Sequence, residues 1–155
     1  MNRNIDLDAF VRVAGDAIIA ADKDGVIVFW NPAAEEMFGF VAEDAVGKSL
    51  DLIIPDRFRR RHGDAYRQTM SSGKTKYGKD VLRVPALHKD GHTLSNAFTV
   101  ALLRSSTGDI EAIVAVIRDE TKRWDEEREL RRRLSELESR MASGCNLVRD
   151  KEPTP

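Results

Sequence analysis

Cysteine is almost absent from this 155-residue sequence, in which Cys145 is the only example. A single thiol forms no disulfide framework and no cysteine-based metal site, and its place in the polar C-terminal tail excludes a cysteine nucleophile in a folded core. A chain of this kind suits a reducing compartment, so we expect a cytoplasmic protein.

Long hydrophobic runs and a one-sided charge are also missing. The longest apolar runs, Ala17–Ala21 and Ala112–Ile117, are far shorter than the ~20 residues that cross a bilayer, and the N-terminus lacks the pattern of a signal peptide. The formal net charge is −1, without the basic excess typical of nucleic-acid binding. We therefore expect neither a membrane nor a nucleic acid as partner.

Signature motifs of common enzymes are absent too. The sequence contains no P-loop, no Gly-x-Ser-x-Gly elbow and no His-Glu-x-x-His zinc motif. Nor does it leave room for the nucleotide-binding domain of a kinase. These absences argue against an enzyme.

What the chain does contain is a series of β-rich runs separated by turns and short helices. Lys23-Asp24-Gly25 and Lys89-Asp90-Gly91 are hairpin signals. Pro85 predicts an edge strand or a bulge, and the nearly continuous apolar run at 110–117 predicts a central strand buried on both faces. The predicted strands are 16–22, 26–30, 80–87, 93–103 and 110–117.

Helices are predicted between and around these strands. Asn31-Pro32 is a capping pattern for a helix that ends at Gly39, and further helical turns are expected at 5–13 and 44–47. After Asp119 the composition changes to charged residues and leucine. The apolar residues there have the four-three spacing of a coiled-coil seam: Leu130, Leu134, Leu137 and Met141.

These elements divide the chain into four parts. We predict an N-terminal cap helix (1–14), an antiparallel α+β domain (15–119), a coiled-coil helix (120–142) and a disordered tail (143–155).

The stretch Ile53–Met70 is the candidate functional element. Pro55 and Gly73 bracket a predicted helix whose one face carries Phe58, His62, Ala65, Tyr66, Thr69 and Met70. One ionisable ring, His62, therefore points the same way as a row of apolar residues. That face either packs into an ordinary core or lines a cavity.

An ordered set of motifs along the chain resembles a PAS domain of the S-box sensory type, over roughly Ala9–Lys122. The matching motifs are Asp24-Gly25, Phe29-Trp30-Asn31-Pro32, Phe38-Gly39, Ile54-Pro55, His88-Lys89-Asp90-Gly91 and Arg118-Asp119-Glu120-Thr121. The resemblance implies a five-stranded antiparallel sheet with helices on one face and a sensory pocket between them. It also implies signal output through Asp119 and Thr121 into the C-terminal helix.

The helix motif Arg61-His62-Gly63-Asp64-Ala65-Tyr66 is similar to that of oxygen-sensing haem PAS domains in nitrogen-fixation sensor kinases. This resemblance implies haem b with His62 as the proximal iron ligand, since a neutral imidazole binds iron and leaves the opposite face open for a gas. The pocket residues implied by the same comparison are Tyr77, Leu82, Phe98, Val100 and Ala115. The apolar face of the predicted helix adds Phe58, Tyr66 and Met70 to the candidate site.

The sequence departs from those sensors at the distal face of the pocket. They place an arginine or a methionine on the strand after the helix, and the corresponding positions here are Leu82 and Asp80. The neighbouring Arg83 is expected to point to the other face of the sheet. Because an apolar distal side offers no donor to bound O2, we expect CO or NO to be held better than O2.

Several residues carry competing interpretations. Asn96 interrupts an apolar strand face and either contacts a ligand or lies at the surface. The arginines of 57–61 either pair with haem propionates or, as we favour, form a solvated helix face. His88 and His92 flank a turn and are expected to face solvent. With no pocket cysteine, covalent flavin photochemistry of the LOV type is excluded, whereas non-covalent flavin is not.

Two functions remain open at this point. The chain is either a sensor module that binds a small ligand, with haem b as the candidate, or a ligand-free interaction and dimerisation module. It is alternatively the sensory fragment of a longer histidine kinase or cyclase. A homodimer is expected in each case, with a kinase, cyclase or regulator as signalling partner.

Overall fold

The computed structural model describes residues 5–149, with side chains as far as residue 144. It contains two units, one that ends at Glu120 and one that begins at Thr121. The helices and strands of the first unit are α1 (Leu7–Arg12), β1 (Ala17–Asp22), β2 (Ile27–Trp30), α2 (Pro32–Phe38), α3 (Ala42–Ala45), a 3₁₀ turn (Leu50–Ile53), α4 (Asp56–Ser72), β3 (Leu82–Leu87), β4 (Thr93–Arg104) and β5 (Ile110–Asp119). The second unit is α5 (Thr121–Arg149).

The five strands form one antiparallel sheet in the order β2-β1-β5-β4-β3. The predicted α+β class with a five-stranded antiparallel sheet is confirmed, and β3, which contains Pro85, is an edge strand as expected. β5 is central, but the expectation that it is buried on both faces is wrong, because Val116 is 40% exposed. An antiparallel sheet commonly covers only one of its faces, and this one does so.

The core lies where α2 and α3 cover one end of the sheet. Ile27, Ala34, Phe38 and Ala45 are fully buried there. The rings of Trp30 and Phe38 lie 5.4 Å apart, and Trp30 donates from Nε1 to the Phe40 carbonyl at 3.0 Å. Burial of each such aromatic side chain stabilises the fold by about 1.5–3 kcal/mol.

Asn31 joins this core to the N-terminal segment. Its Oδ1 accepts from the backbone N–H groups of Ile18 (2.8 Å) and Ala34 (3.0 Å), which makes it the N-cap of α2. Its Nδ2 donates to the carbonyls of Val11 (3.2 Å) and Asp16 (3.1 Å). One buried amide thereby satisfies backbone groups from α1, β1 and α2.

Three predicted boundaries need correction. α3 begins at Ala42 rather than near 44, because the Glu35 carboxylate accepts from the Ala42 N–H at 2.6 Å and caps the turn earlier. β3 begins at Leu82 rather than Asp80, because the Asp80 N–H closes a turn onto the Tyr77 carbonyl (2.8 Å).

The third correction concerns the C-terminal helix. α5 continues beyond the predicted end at 142 to Arg149, so the first part of the predicted disordered tail is helical. The single Gly144 costs only about 1 kcal/mol in a helix, and no proline lies between Thr121 and Pro153. The rest of the predicted tail, and the first four residues of the predicted cap helix, lie outside the described residues.

Among the helices of the described residues, none combines the length and apolarity needed to cross a membrane.

Replacement of Asn31 tests its joining role. Asn31→Asp keeps the capping oxygen but removes the two N–H donors and buries a carboxylate beside the carbonyls of Val11 and Asp16. We expect the free energy of unfolding to fall by about 2 kcal/mol or more, measured by urea denaturation. Asp6→Asn at the exposed N-cap of α1 is the matched control and should change it by less than about 0.5 kcal/mol. Equal effects of the two substitutions would contradict this role.

Candidate ligand-binding site

A cavity of about 350 Å³ lies between α4 and the inner face of the sheet. Small-molecule sites typically measure roughly 300–1,000 Å³, so this one is at the small end of the range. The residues named from the sequence that line it are Phe58, His62, Tyr66, Tyr77, Leu82, Phe98, Val100 and Ala115. Met70, also named, is not among the lining residues, because Thr69 occupies the wall in the last turn of α4.

The helix over the cavity, α4, is weakly anchored. Asp56 in its first turn pairs with Arg59 (Oδ1 to Nη1, 2.7 Å), and Gly73 ends it in the left-handed conformation with φ of 66°. Of its 17 residues, Tyr66 alone is buried. Because a helix in a protein owes most of its stability to tertiary packing, the contacts of Tyr66 largely determine where α4 lies.

Tyr66 attaches α4 to the end of β1. Its hydroxyl donates to the carbonyls of Ala21 (3.1 Å) and Asp22 (2.5 Å). Burial raises the pKa of Tyr66 well above its ordinary range, and the nearby carboxylates of Asp22 and Asp24 raise it further. The phenol therefore remains a protonated donor at neutral pH.

His62 lies one helical turn before Tyr66, and the two ring centroids are 5.9 Å apart. The imidazole lines the cavity and is half-buried. Burial lowers the pKa of His62 from its ordinary value, against a smaller opposing effect of Asp51. The lowered pKa favours the neutral ring at neutral pH, and a neutral imidazole carries one nitrogen lone pair.

The sheet side of the cavity is an apolar wall with one polar residue. The lining residues of this wall are Ile19, Ala21, Leu82, Val84, Pro85, Ala86, Asn96, Phe98, Val100, Ile113, Ala115 and Ile117. Asn96 is 6% exposed, and its Oδ1 has no hydrogen-bond partner among the described residues. An unpaired buried oxygen costs about 1–3 kcal/mol, so this amide is a candidate contact for a bound molecule.

Of the residues considered for the distal face of the pocket, only Leu82 lies on the cavity wall. Leu82 lines the cavity, whereas Asp80 does not. Arg83 points away from the cavity and pairs with Glu120 (Nε to Oε2, 3.2 Å). No arginine from β3 therefore reaches the cavity in this structure.

Sequence reasoning missed part of the site. We favoured a purely solvent-facing role for the arginines of 57–61. Arg61 is exposed, but it also lines the cavity. β1 contributes Ile19 and Ala21, and the segment before α4 contributes residues such as Ile53. Ile19 and Ala21 could have been found from the sequence, because they alternate along a predicted strand and alternate strand residues share a face.

The output corner at the end of β5 is joined to β4. Asp119 is opposite Asn96 in the β4–β5 ladder, and the Glu120 N–H donates to the Ser95 carbonyl at 2.8 Å. α5 begins at the next residue, Thr121. Of the residues named as signal output, Asp119 therefore ends a strand that lines the cavity and Thr121 begins α5.

The chain thus has a five-stranded antiparallel sheet with a cavity between one of its faces and a helix. The family described as the PAS fold matches residues 5–119. The chain belongs to the PAS family, whose members are sensory modules of signal transduction.

Sensor proteins are among its relatives. The chain is 28% identical over 103 residues to the Oxygen sensor protein DosP of Escherichia coli, covering 66% of this chain and 12% of that protein. It is 27% identical over 143 residues to the Sensor protein FixL of Bradyrhizobium diazoefficiens, covering 90% of this chain and 26% of that protein. The chain thus spans about a quarter or less of the length of the curated relatives that it matches.

Solved structures of the fold are similar as well. The PAS domain of a protein from Colwellia psychrerythraea has a TM-score of 0.65 and 22% sequence identity, covering 75% of this chain and 95% of that domain. At this identity the likeness establishes the fold alone.

Asn96→Leu tests whether the unpaired amide is retained for a ligand. The substitution removes a buried oxygen that lacks a partner, so we expect the ligand-free protein to become about 1 kcal/mol more stable or remain unchanged in urea denaturation. Thr93→Leu, at an exposed position on the outward side of the same strand, is the control for a change in strand propensity. A loss of stability from Asn96→Leu well above that of the control would contradict the assignment.

Proposed function

We propose that this chain is the sensory module of a signalling protein and binds a small ligand between α4 and the sheet, with haem b held through His62 as the candidate. The observation that carries the proposal is a neutral, half-buried imidazole on the wall of a cavity of about 350 Å³ that is otherwise mostly apolar. A relative named as an oxygen sensor supports the choice of ligand class.

The residues of the cavity fit haem in their chemistry. A neutral histidine is a good axial ligand for iron, and the aromatic and aliphatic side chains around it suit a porphyrin ring. Among the described residues the His62 ring has no hydrogen-bond partner, so its one unprotonated nitrogen is not engaged by the protein. Arg61, which lines the cavity from an exposed position, offers a guanidinium to a carboxylate.

The protein's own groups then have distinct roles. Haem, when bound, would supply an iron that takes up a diatomic gas or changes redox state. His62 holds the group, while Leu82, Phe98 and Val100 exclude water from it. Asn96 is the sole amide on the sheet side among the described lining residues. With Leu82 at the position of the expected arginine, we retain the expectation that CO or NO is held better than O2.

The route of the signal follows the chain from β4 to α5. Asn96 is paired across the sheet with Asp119, the last residue of β5, and α5 begins two residues later. A ligand that contacts Asn96 therefore acts next to the point where the sheet joins α5. The signal is a shift between two arrangements of this corner, which changes how two α5 helices pair in a dimer. The relatives are much longer than this chain, which fits a cytoplasmic sensory part of a kinase or cyclase.

Haemin titration of the purified chain tests the ligand. We expect a sharp Soret band that saturates at one haem per chain, and its loss or shift in His62→Ala, because the axial imidazole is gone. His92→Ala removes an exposed surface histidine and is the matched control, which should titrate like the unaltered chain.

A second readout distinguishes ligation from folding. Imidazole added to a His62→Gly variant should restore the band if the only defect is a missing ligand. Equal, loose haemin binding by the unaltered chain, His62→Ala and His92→Ala would refute the haem assignment. The expected ranking of CO, NO and O2 would then have no basis.

The alternative function, a ligand-free dimerisation module, rests on α5. Its apolar stripe is open to solvent in the single chain: Leu130 is 65%, Leu134 57%, Leu137 54% and Met141 75% exposed. Intrahelical ion pairs such as Arg132 with Glu129 (2.7 Å) cover other faces of the helix. Such a stripe suits pairing with a second α5 in a coiled coil.

Leu134→Glu tests the pairing of α5. The substitution places a charge in the seam, so we expect a dimer of the unaltered chain to become monomeric at micromolar concentration in sedimentation experiments. Ser135→Glu introduces the same charge one residue off the stripe and should leave the dimer intact. A monomeric unaltered chain would contradict the coiled-coil proposal.

A further inference from the structure

The hairpin between β3 and β4 carries a cluster of potential metal ligands that the sensory cavity does not use. His88, Asp90 and His92 alternate along its turn, and one ligand atom from each lies within 4.8 Å of the others. The two imidazole rings stack with centroids 4.5 Å apart. His92 is exposed, but His88 is half-buried, so the expectation that both rings face solvent holds for His92 alone.

The turn is rigid enough to hold these ligands in place. The His88 N–H donates to the His92 carbonyl (2.9 Å), and the Gly91 N–H donates to the His88 carbonyl (2.9 Å), with Gly91 in the left-handed conformation at φ 93°. The Asp90 carboxylate also accepts from the His92 backbone N–H at 3.0 Å. These bonds fix the backbone on both sides of Asp90.

The His88 ring is oriented by its contact with Gly39 at the end of α2. A Cβ placed on Gly39 would lie 2.6 Å from His88 Nε2, so the ring packs directly on the glycine. The Lys89 N–H donates to the Phe38 carbonyl (2.9 Å), which joins the hairpin tip to the same helix end. The Lys89 ammonium lies 3.5 Å from the Asp44 carboxylate, so it is directed to a partner outside the cluster.

The ligand atoms form an electron-rich group. His88 Nδ1 accepts from the Asp90 backbone N–H (3.2 Å), so it is the unprotonated nitrogen of its ring, and it lies 3.0 Å from Asp90 Oδ1. A bound ion would take the lone pair that this weak bond now uses. His92 Nδ1 contacts the same carboxylate oxygen. Two imidazole nitrogens and one carboxylate oxygen therefore converge on one place, where a proton shared by His92 and Asp90 now lies and a cation can take its position.

We propose that His88, Asp90 and His92 form a surface site for a divalent transition-metal ion of the zinc class. Imidazole nitrogen with one carboxylate is a ligand set that Zn²⁺ accepts, and three protein ligands on an exposed turn leave the remaining position to water. The ion would replace the proton between His92 and Asp90 and join the hairpin more firmly to the end of α2. The site is independent of the proposed ligand cavity.

Calorimetric titration with Zn²⁺ tests the proposal. All proteins carry Cys145→Ser, which removes the only thiol. We expect one Zn²⁺ per chain with micromolar affinity, and at least about tenfold weaker binding in His92→Gln, since loss of even an outer-shell partner typically costs about 10–100-fold. His62→Gln, at the remaining histidine, should bind Zn²⁺ like the parent.

Two further readouts make the result decisive. Circular dichroism checks that His92→Gln is folded, and Co²⁺ in place of Zn²⁺ should give a visible absorption band that the same variant loses. No stoichiometric binding, or equal binding by His92→Gln and His62→Gln, would overturn the proposed site. Both outcomes leave the haemin titration unaffected, because that experiment depends on His62.

Discussion

The hydrogen bond from the Tyr66 hydroxyl to the end of β1 is the contact on which the proposed site depends. Tyr66 is the one buried residue of α4, and its donation to Ala21 and Asp22 holds the helix over the sheet. Elsewhere along α4 the space beneath is cavity rather than packed core. The cavity leaves space for a ligand. Because tertiary packing stabilises a helix, the position of α4 depends on what occupies this cavity.

The rest of the domain is rigid by comparison. The Asn31 amide makes four hydrogen bonds that join α1, β1 and α2. At the same end of β1, Arg118 makes two hydrogen bonds to the Asp16 carboxylate (2.9 and 2.7 Å), and this contact lowers the pKa of Asp16. A firm sheet beside a weakly anchored helix suits the proposed sensory role, in which a ligand would act on the less stable element.

Much of the fold was predictable because local signals agree with the final structure. The Asn31-Pro32 cap, the Gly39 and Gly73 helix ends and the two Asp-Gly turns each correspond to an observed boundary. Asn96 was left open between a ligand contact and a surface position, because a single amide on an apolar strand face suits either; the structure buries it on the inner face. Arg61 and the β1 residues of the cavity depend on how α4 crosses the sheet, which no local pattern encodes. The length of α5 was underestimated because its last residues carry neither a strong seam nor a stop signal.

Amide hydrogen exchange along α4 is the most direct measurement of the central idea, that this helix lies over a ligand cavity and is anchored mainly at Tyr66. In the free protein we predict that α4 exchanges faster than the central strand β5, because local opening of the helix exposes little packed surface. Haemin should slow exchange across α4 in the unaltered chain and not in His62→Ala. An α4 that is protected as strongly as β5 without ligand, and unchanged by haemin, would contradict the account.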